Sequence, residues 1–368
     1  MTNDTFSKIW DWYPEKTNPF SSLWWFFLLL PKNEDGSYGP KQIMFVLVSC
    51  AGEQVRVNGT HHGGLPRQAA SGPLQPINTY VLGWMHDGQR MFDKLIDETT
   101  VAQLAHGQSI HAWNEEGYGG EIVRGNGLPF AVDARFCGRQ GGGQFRAWGD
   151  PASEISSPSE SAMHTAFGGA DVLAWRHVNF EGQFTSPEGT ESLAGIGYFQ
   201  RICLNVVPFP WKWIWAAFAD GSIFSCFVPY VGPHLVRRGD RLFPGWLENL
   251  TVPIMPSGYF CKAGSLETTQ FKNVRVGVRP QNGSHPQFTV FCEADSGDYL
   301  SYRLLPYGHN QVVLERPQLK SRWWSLYNYN EYVFRTADVT GRIGGKALDV
   351  GGMSPGYGNL EYTWGLGL

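Results

Sequence analysis

Short runs of alternating or continuous apolar residues, each closed by a turn signal, recur along almost the whole chain. They fall at 42–50, 78–84, 120–124, 130–136, 143–148, 172–180, 198–207, 211–218, 222–228, 272–278, 287–293, 299–304, 311–315 and 323–334. Strands at this spacing predict a sandwich or barrel rather than βαβ units. One stretch departs from the pattern. Met91, Leu95, Ile96, Val101 and Leu104 recur at helix-like spacing in a run free of Gly and Pro, which predicts a short helix there.

Within a strand, the period of two assigns faces. Trp211, Trp213 and Trp215 therefore form a continuous indole wall on one side of their strand. Trp175, His177 and Asn179 share a face, and Asp133 and Arg135 share another, opposite Val132, Ala134 and Phe136. The wall has two readings. It packs a core or an inter-barrel contact, or it lines a ligand chamber whose indole faces stabilise a developing carbocation.

The most open region near the middle is 181–197, with a second polar stretch at 153–161. The first is the predicted junction between a domain of residues 1–190 and a domain of residues 191–368. An internal echo supports two halves. Trp24-Trp25-Phe26-Phe27 leads to Asp35-Gly36, and Trp211-Lys212-Trp213-Ile214-Trp215 leads to Asp220-Gly221, each an Asp-Gly hairpin signal. A length of 368 residues suits two units or one large barrel.

Composition sharpens this picture. Charged residues make up 17% of the chain, against about 25% in an average domain, and 45 Gly and 23 Pro disfavour long helical bundles. Fifteen Trp, 15 Tyr and 23 Phe require a substantial core. A formal charge of −4, with both signs mixed along the chain, offers no cationic surface for phosphates, so nucleic acid is not an expected partner. The six cysteines are scattered without a CxxC pair or a His at ligand spacing, so they read as free thiols rather than a metal site. His61-His62 has no acidic partner at ligand spacing, and His106 and His111 lie in a polar turn region. Gly141-Gly142-Gly143 reads as a tight turn rather than a phosphate loop. HExxH is absent, so zinc-protease chemistry has no support; nucleophilic catalysis is not expected, and no metal and no cofactor are expected. The apolar run Leu23 to Leu30 is eight residues long, short of the roughly 20 a spanning helix needs, and the N-terminus lacks a basic leader region. A cytoplasmic protein without an integral membrane segment is expected, and its three sequons, at Asn58, Asn249 and Asn282, matter only in a secreted chain.

Three segments carry a resemblance to a known group. They are the Trp24-Trp25 strand with its hairpin, the step from Gly197-Tyr198-Phe199 into Trp211 to Gly221, and the C-terminal Gly356-Tyr357-Gly358-Asn359-Leu360-Glu361-Tyr362-Thr363-Trp364-Gly365. Together they resemble the tandem lipocalin-like proteins, which include carotenoid 1,2-hydratases, tocopherol-cyclase-like proteins and lipocalin-like Diels–Alderases. The resemblance implies an all-β chain with two lipocalin-like antiparallel β-barrels or half-barrels in tandem, few short helices and an apolar ligand cavity. It also implies chemistry on long polyenes or isoprenoids. Where relatives often carry a His or an acid in the central motif, this chain has Gln200-Arg201, so a catalytic acid is not carried over to that position.

Two mechanisms suit such a cavity. An acid catalyst needs a carboxyl group that burial keeps protonated near neutral pH, and Asp133, Asp150 and Glu361 are the candidates. Asp133 has a structural alternative as an ion pair with Arg135, and Asp150 as a turn residue before Pro151. A pericyclase instead folds a polyene into a near-attack shape with one hydrogen-bond donor, for which His177, Tyr198, Arg201 and Tyr230 are suited. Trp24, Trp25, Trp175, Tyr198, Trp211, Trp213, Trp215 and Trp364 are the expected substrate-binding residues. The leading expectation is a cofactor-independent cyclase acting on a hydrophobic polyene or isoprenoid-derived small molecule. The alternatives are a carotenoid-hydratase-like enzyme, a non-catalytic lipid carrier, and a sugar-binding protein or glycosidase using surface aromatics with paired acids. A homodimer is left open.

Overall fold

The computed structural model describes residues 8–10, 21–50, 54–63, 74–125, 130–149, 159–165, 168–205, 209–239, 241–263, 268–318 and 323–365. The N-terminal half supplies β1 (Ser22–Pro31), β2 (Gln42–Cys50), β3 (Gln54–Val57), β4 (Thr60–Gly63), β5 (Leu74–His86), β6 (Met91–Ala105) and β7 (Ser109–Trp113). It continues with β8 (Gly119–Arg124), β9 (Ala131–Gly138), β10 (Gly141–Trp148), β11 (Ser159–Thr165), β12 (Gly168–Ser186) and β13 (Gly189–Leu204). The C-terminal half supplies β14 (Trp211–Ala217), β15 (Ile223–Val231), β16 (Val252–Pro253), β17 (Ser257–Cys261), β18 (Thr268–Phe271) and β19 (Asn273–Arg279). Last come β20 (Gln287–Glu293), β21 (Tyr299–Gln318), β22 (Trp323–Ile343), β23 (Lys346–Ala347) and β24 (Tyr357–Gly365).

All pairings are antiparallel, and they build two barrels. The first runs β10-β9-β8-β7-β6-β5-β2-β1-β13-β12, and β12 returns to pair with β10, which closes it. The second runs β18-β17-β15-β14-β24-β22-β21-β20-β19 and is nearly closed. Both Asp-Gly signals serve as predicted: Asp35-Gly36 turns β1 into β2, and Asp220-Gly221 turns β14 into β15, with the glycines at φ 82° and 86°.

Apolar patterning explains where each strand lies. In β9 and β20 buried and exposed residues alternate, as expected for a barrel wall with one wet face. In β1, β14 and β24 nearly every residue is buried. Those three are wedged between the barrels, one face turned into their own barrel and the other onto the neighbour. Three apolar clusters result. One, with Trp25, Phe27, Phe45 and Phe199, fills the first barrel, and a second, with Ile214, Tyr302, Leu360 and Tyr362, fills the second. The third, with Phe26, Leu28, Trp84, Tyr198, Trp211, Trp213 and Trp215, cements the barrels together. The hairpin β3–β4 straps this joint, because Val57 and Arg56 pair with Leu314 and Glu315 of the second barrel.

Several sequence expectations are corrected. Residues 91–105 form a strand, not a helix, paired on both sides by β5 and β7. The β-branched run Ile96, Thr99, Thr100, Val101 and the barrel's hydrogen-bonding demand override the helix-like spacing. The polar stretch 181–197 is the β12–β13 hairpin of the first barrel, so the strands of that barrel continue to Leu204, past the expected boundary at 190. Gly141 to Gly143 open β10 rather than form a turn. A side chain at Gly141 would lie 2.2 Å from the Thr185 carbonyl oxygen, so the glycines allow the β10–β12 closure. Trp175 and His177 do not share a face. A bulge between Trp175 and Val178 sends Trp175, Val178 and Phe180 inward together and takes His177 out of register.

Candidate functional site between the barrels

Four strands of the second barrel turn one row of side chains toward the first. Asn310 on β21 stands opposite Glu331 on β22, Glu331 opposite Glu361 on β24, and Glu361 opposite Trp213 on β14. Their chain neighbours Tyr332, Leu360, Tyr362 and Ile214 point into the second barrel, so strand alternation itself puts this row on the joint. The two carboxyls are a direct cross-strand pair, with Cβ atoms about 5 Å apart by sheet geometry.

The surroundings are aromatic. Trp24 packs on Trp211 with ring centroids 5.9 Å apart, Phe26 on Trp213 at 5.8 Å, and Tyr198 on Trp213 at 4.9 Å. The Trp211 indole donates to Glu361 Oε2 at 2.7 Å, and the Trp84 indole, from the first barrel, donates to Glu331 Oε2. Each barrel thus supplies a donor to the pair.

Burial governs the electrostatics. Both glutamates are sealed, Glu331 at 0% and Glu361 at 2% exposure. Desolvation, reinforced by the neighbouring Glu361 charge, pushes Glu331 up to about 8, opposed by the Trp84 indole and by the nearby polar groups of Asn310 and Tyr329. Desolvation pushes Glu361 up to about 7, opposed by Tyr329 and Trp211. Burial also raises the Tyr198 hydroxyl. Near neutral pH the pair can share one proton, an acid beside a base in a dry aromatic setting. Glu331 Oε1, Glu361 Oε1, both amide atoms of Asn359, Gln42 Oε1 and Trp24 Nε1 are buried without a hydrogen-bond partner among the described residues. Such atoms are costly unless satisfied. A surface depression of about 550 Å³ bounded by Gln281, Ser284, His285, Gln287, Leu305 and Pro306 shares no residue with this site.

Solved structures share this architecture. An AttH-designated protein from Nitrosomonas europaea superposes with a TM-score of 0.51 at 13% identity, covering 96% of each chain. CghA superposes with a TM-score of 0.51 at 10% identity, covering 94% of this chain and 88% of its own. The chain has the tandem lipocalin-like fold. Kievitone hydratase from Nectria haematococca aligns more loosely, with a TM-score of 0.46 at 11% identity over 99% of this chain and 93% of its own. No protein-family model and no curated protein sequence matches the chain. At these identities the likeness is one of fold.

Within the tandem lipocalin-like fold the expected site residues separate into groups. Trp24, Tyr198, Trp211, Trp213, Trp215 and Glu361 meet at the joint between the barrels. The indole wall exists, and it faces the first barrel rather than the interior of the second. Trp25 and Trp175 lie inside the first barrel, where Trp25 donates to the Ile9 carbonyl at 2.8 Å and Trp175 packs on Phe130. Arg201 is buried on the same inner face, opposite Trp25 and Leu173. Tyr230 and Trp364 lie inside the second barrel; Tyr230 donates to the Thr363 carbonyl at 2.5 Å and Trp364 to that of Gly239 at 2.9 Å. His177 is half-buried at the β12 bulge. Asp133 stands on the exposed outer wall, so it lacks the burial an acid catalyst needs, and the ion pair of Arg135 is with Glu121. Asp150 and the side chains of His61 and His62 fall outside the described residues.

Sequence reasoning missed Glu331. Its signal is the strand-period row Tyr327, Tyr329, Glu331, Val333, in which one acid occupies an otherwise apolar face.

Proposed function

We propose that the joint between the barrels holds a hydrophobic, unsaturated small molecule, and that Glu331 and Glu361 carry its chemistry. The reading is a cofactor-independent cyclase for a polyene or isoprenoid-derived substrate. The observation that carries it is the cross-strand carboxyl pair, held up near neutrality by burial and ringed by indoles. In a pericyclic closure the protonated carboxyl hydrogen-bonds an activating carbonyl and no proton moves; in an acid-catalysed closure it donates its proton to an alkene carbon. The faces of Trp211, Trp213 and Tyr198 stabilise the positive charge that develops, an internal double bond closes the ring, and the ionised partner carboxylate takes the departing proton. The catalyst's net proton balance is zero, and substrate and product have the same mass.

A second reading follows from the same pair, since an acid beside a base can add water across a double bond. Here the carboxylate takes a proton from water as the acid protonates carbon. Extraction of wild-type protein and of Glu331→Gln and Glu361→Gln variants, followed by mass spectrometry, separates the readings. The cyclase reading expects wild type to release an isomer of the hydrophobic species that the variants retain. A product heavier by one water selects the hydratase. The same species in all three proteins would refute both and leave a carrier.

A further inference from the structure

We propose that the rim of the second barrel between Gly232 and Pro256 is a docking face for an anionic phospholipid surface. This surface is independent of the chemistry assigned to Glu331 and Glu361. Among the described residues nine large apolar side chains are exposed, and five of them fall on this stretch: Val236, Trp246, Leu250, Val252 and Met255, at 57% to 77% exposure. Five of nine such side chains within the 20 residues from Val236 to Met255 is a concentration rather than the single scatter of an ordinary surface.

The rim is built inside out. Its charges are sealed within: His234 Nε2 meets Glu248 Oε2 at 3.0 Å, Arg237 Nη1 meets Glu248 Oε1 at 3.2 Å, and the Arg237 guanidinium lies 3.6 Å from the Trp364 ring centre. Tyr362 also donates to Glu248. The apolar side chains are therefore presented by an anchored loop, and Trp246 stands outside two residues from a fully buried acid. Met255 is held at φ 47°, an uncommon conformation for a non-glycine residue, on the turn that presents it.

Charge selects the occupant. The exposed charges described within the stretch are Arg238 and Arg241, and the adjoining strand adds Arg279, next to the Val278 that bonds Asn249 in both directions. The stretch has two acids in sequence: Glu248 is sealed in the network, and Asp240 falls outside the described residues. This basic, Trp-bearing rim belongs to a chain whose formal charge is −4. A second copy meeting this face about a two-fold axis would bring its arginines onto the same arginines. A lipid surface takes Trp at the headgroup level and Arg against phosphate.

The test is co-sedimentation of the full chain with phosphatidylcholine vesicles, with and without about one third phosphatidylserine, alongside light scattering for oligomeric state. The wild type is expected on the anionic vesicles, with hydrogen-exchange protection at 236–255. Trp246→Glu with Leu250→Glu should weaken binding at least about tenfold, and Arg238→Gln with Arg241→Gln by roughly fivefold per arginine with lost salt sensitivity. All four positions are exposed, and unchanged melting checks that the variants fold. Failure to bind either vesicle, binding unaffected by Trp246→Glu with Leu250→Glu, or a dimer that these substitutions dissolve would overturn the proposal, the last in favour of a second copy.

Discussion

A carboxylic acid sealed between two barrels resists ionisation, so its contribution to stability depends on pH. Burial pushes Glu331 up to about 8 and Glu361 up to about 7 in the folded protein, against an ordinary value of 4.5. The folded state therefore holds protons that the unfolded state releases, and stability falls as pH rises from the unfolded value toward the folded ones. A tenfold difference in proton affinity is about 1.4 kcal/mol. Glu331→Gln should thus gain on the order of 2–4 kcal/mol at pH 8 and gain little at pH 4, measured by urea unfolding. The amide keeps an acceptor for the Trp84 indole, which Glu331→Ala would leave unsatisfied. The same variant should lose turnover. Stabilisation together with inactivity is the signature of a group kept for chemistry, and a destabilised Gln variant at pH 8 would show that the pair is ionised and structural.

Among the elements, the first barrel depends on β10 meeting β12, and that approach depends on glycine. Gly141→Val would force a side chain against the Thr185 backbone and the Leu95 side chain. The expected result is a loss of several kcal/mol and faster hydrogen exchange along β10 and β12. Wild-type exchange in that variant would show that closure tolerates a displaced strand. The strands themselves were readable from period-two patterning because an alternating wall, as in β9 and β20, writes its two faces into the sequence. The doubly buried β1 and β14 were readable as Trp-rich strands, but a continuous apolar run does not say which face meets which neighbour. Residues 91–105 misled for a related reason, since adjacent Leu95 and Ile96 are both buried and adjacent Asp93 and Lys94 both exposed, which breaks the period of two. Glu361 could be picked out as the one acid in the Trp- and Tyr-bearing C-terminal segment Gly356 to Gly365. Glu331 was marked only by its place in an apolar period-two row; that it stands opposite Glu361 across β22 and β24 is a matter of register, a property of the folded sheet.

At the scale of the molecule, the two barrels have separate cores and a shared joint, so the joint can be weakened while the cores persist. Trp213 and Trp215 are 4% and 0% exposed and pack on the first barrel through Tyr198, Phe26 and the Arg176 carbonyl. A large-to-small change at a site of this kind costs about 3–5 kcal/mol. Replacing both by Ala should split a single thermal transition into two, one per barrel, and abolish ligand retention. A single transition of unchanged midpoint would mean that the strap β3–β4 and the remaining joint suffice.

The pH profile of the whole chain combines buried groups of opposite sign. Inside the second barrel Lys212 donates to the Val276 carbonyl at 2.8 Å and lies between the rings of Tyr230 and Tyr362. Burial pushes it down to about 8 from an ordinary 10.5, with the Glu248 charge opposing. Between those values the unfolded state binds the extra proton, so stability rises with pH there, opposite in sign to the effect of the glutamates below pH 8. On the acid side, burial raises the Glu248 carboxyl, but bonds from His234 and Tyr362 and the Arg237 charge outweigh it and hold the group low, so its contribution is lost as pH falls through that range. Above pH 10 the buried hydroxyls of Tyr230, Tyr302 and Tyr362, all raised by desolvation, keep protons the unfolded chain releases, and stability declines again. The glutamates therefore pull the unfolding free energy down toward pH 8, against the opposite pull of His86, His285 and His309, which burial lowers from 6.5. Above pH 8 Lys212 pulls it up, against the buried thiols of Cys226, Cys261 and Cys292, which desolvation raises from 9.0. Glu331→Gln with Glu361→Gln should remove the downward pull between about pH 5 and 8, and Lys212→Met should steepen the fall above pH 8. Variant profiles that run parallel to the wild type across these windows would mean that the substituted groups are wetter than their burial implies.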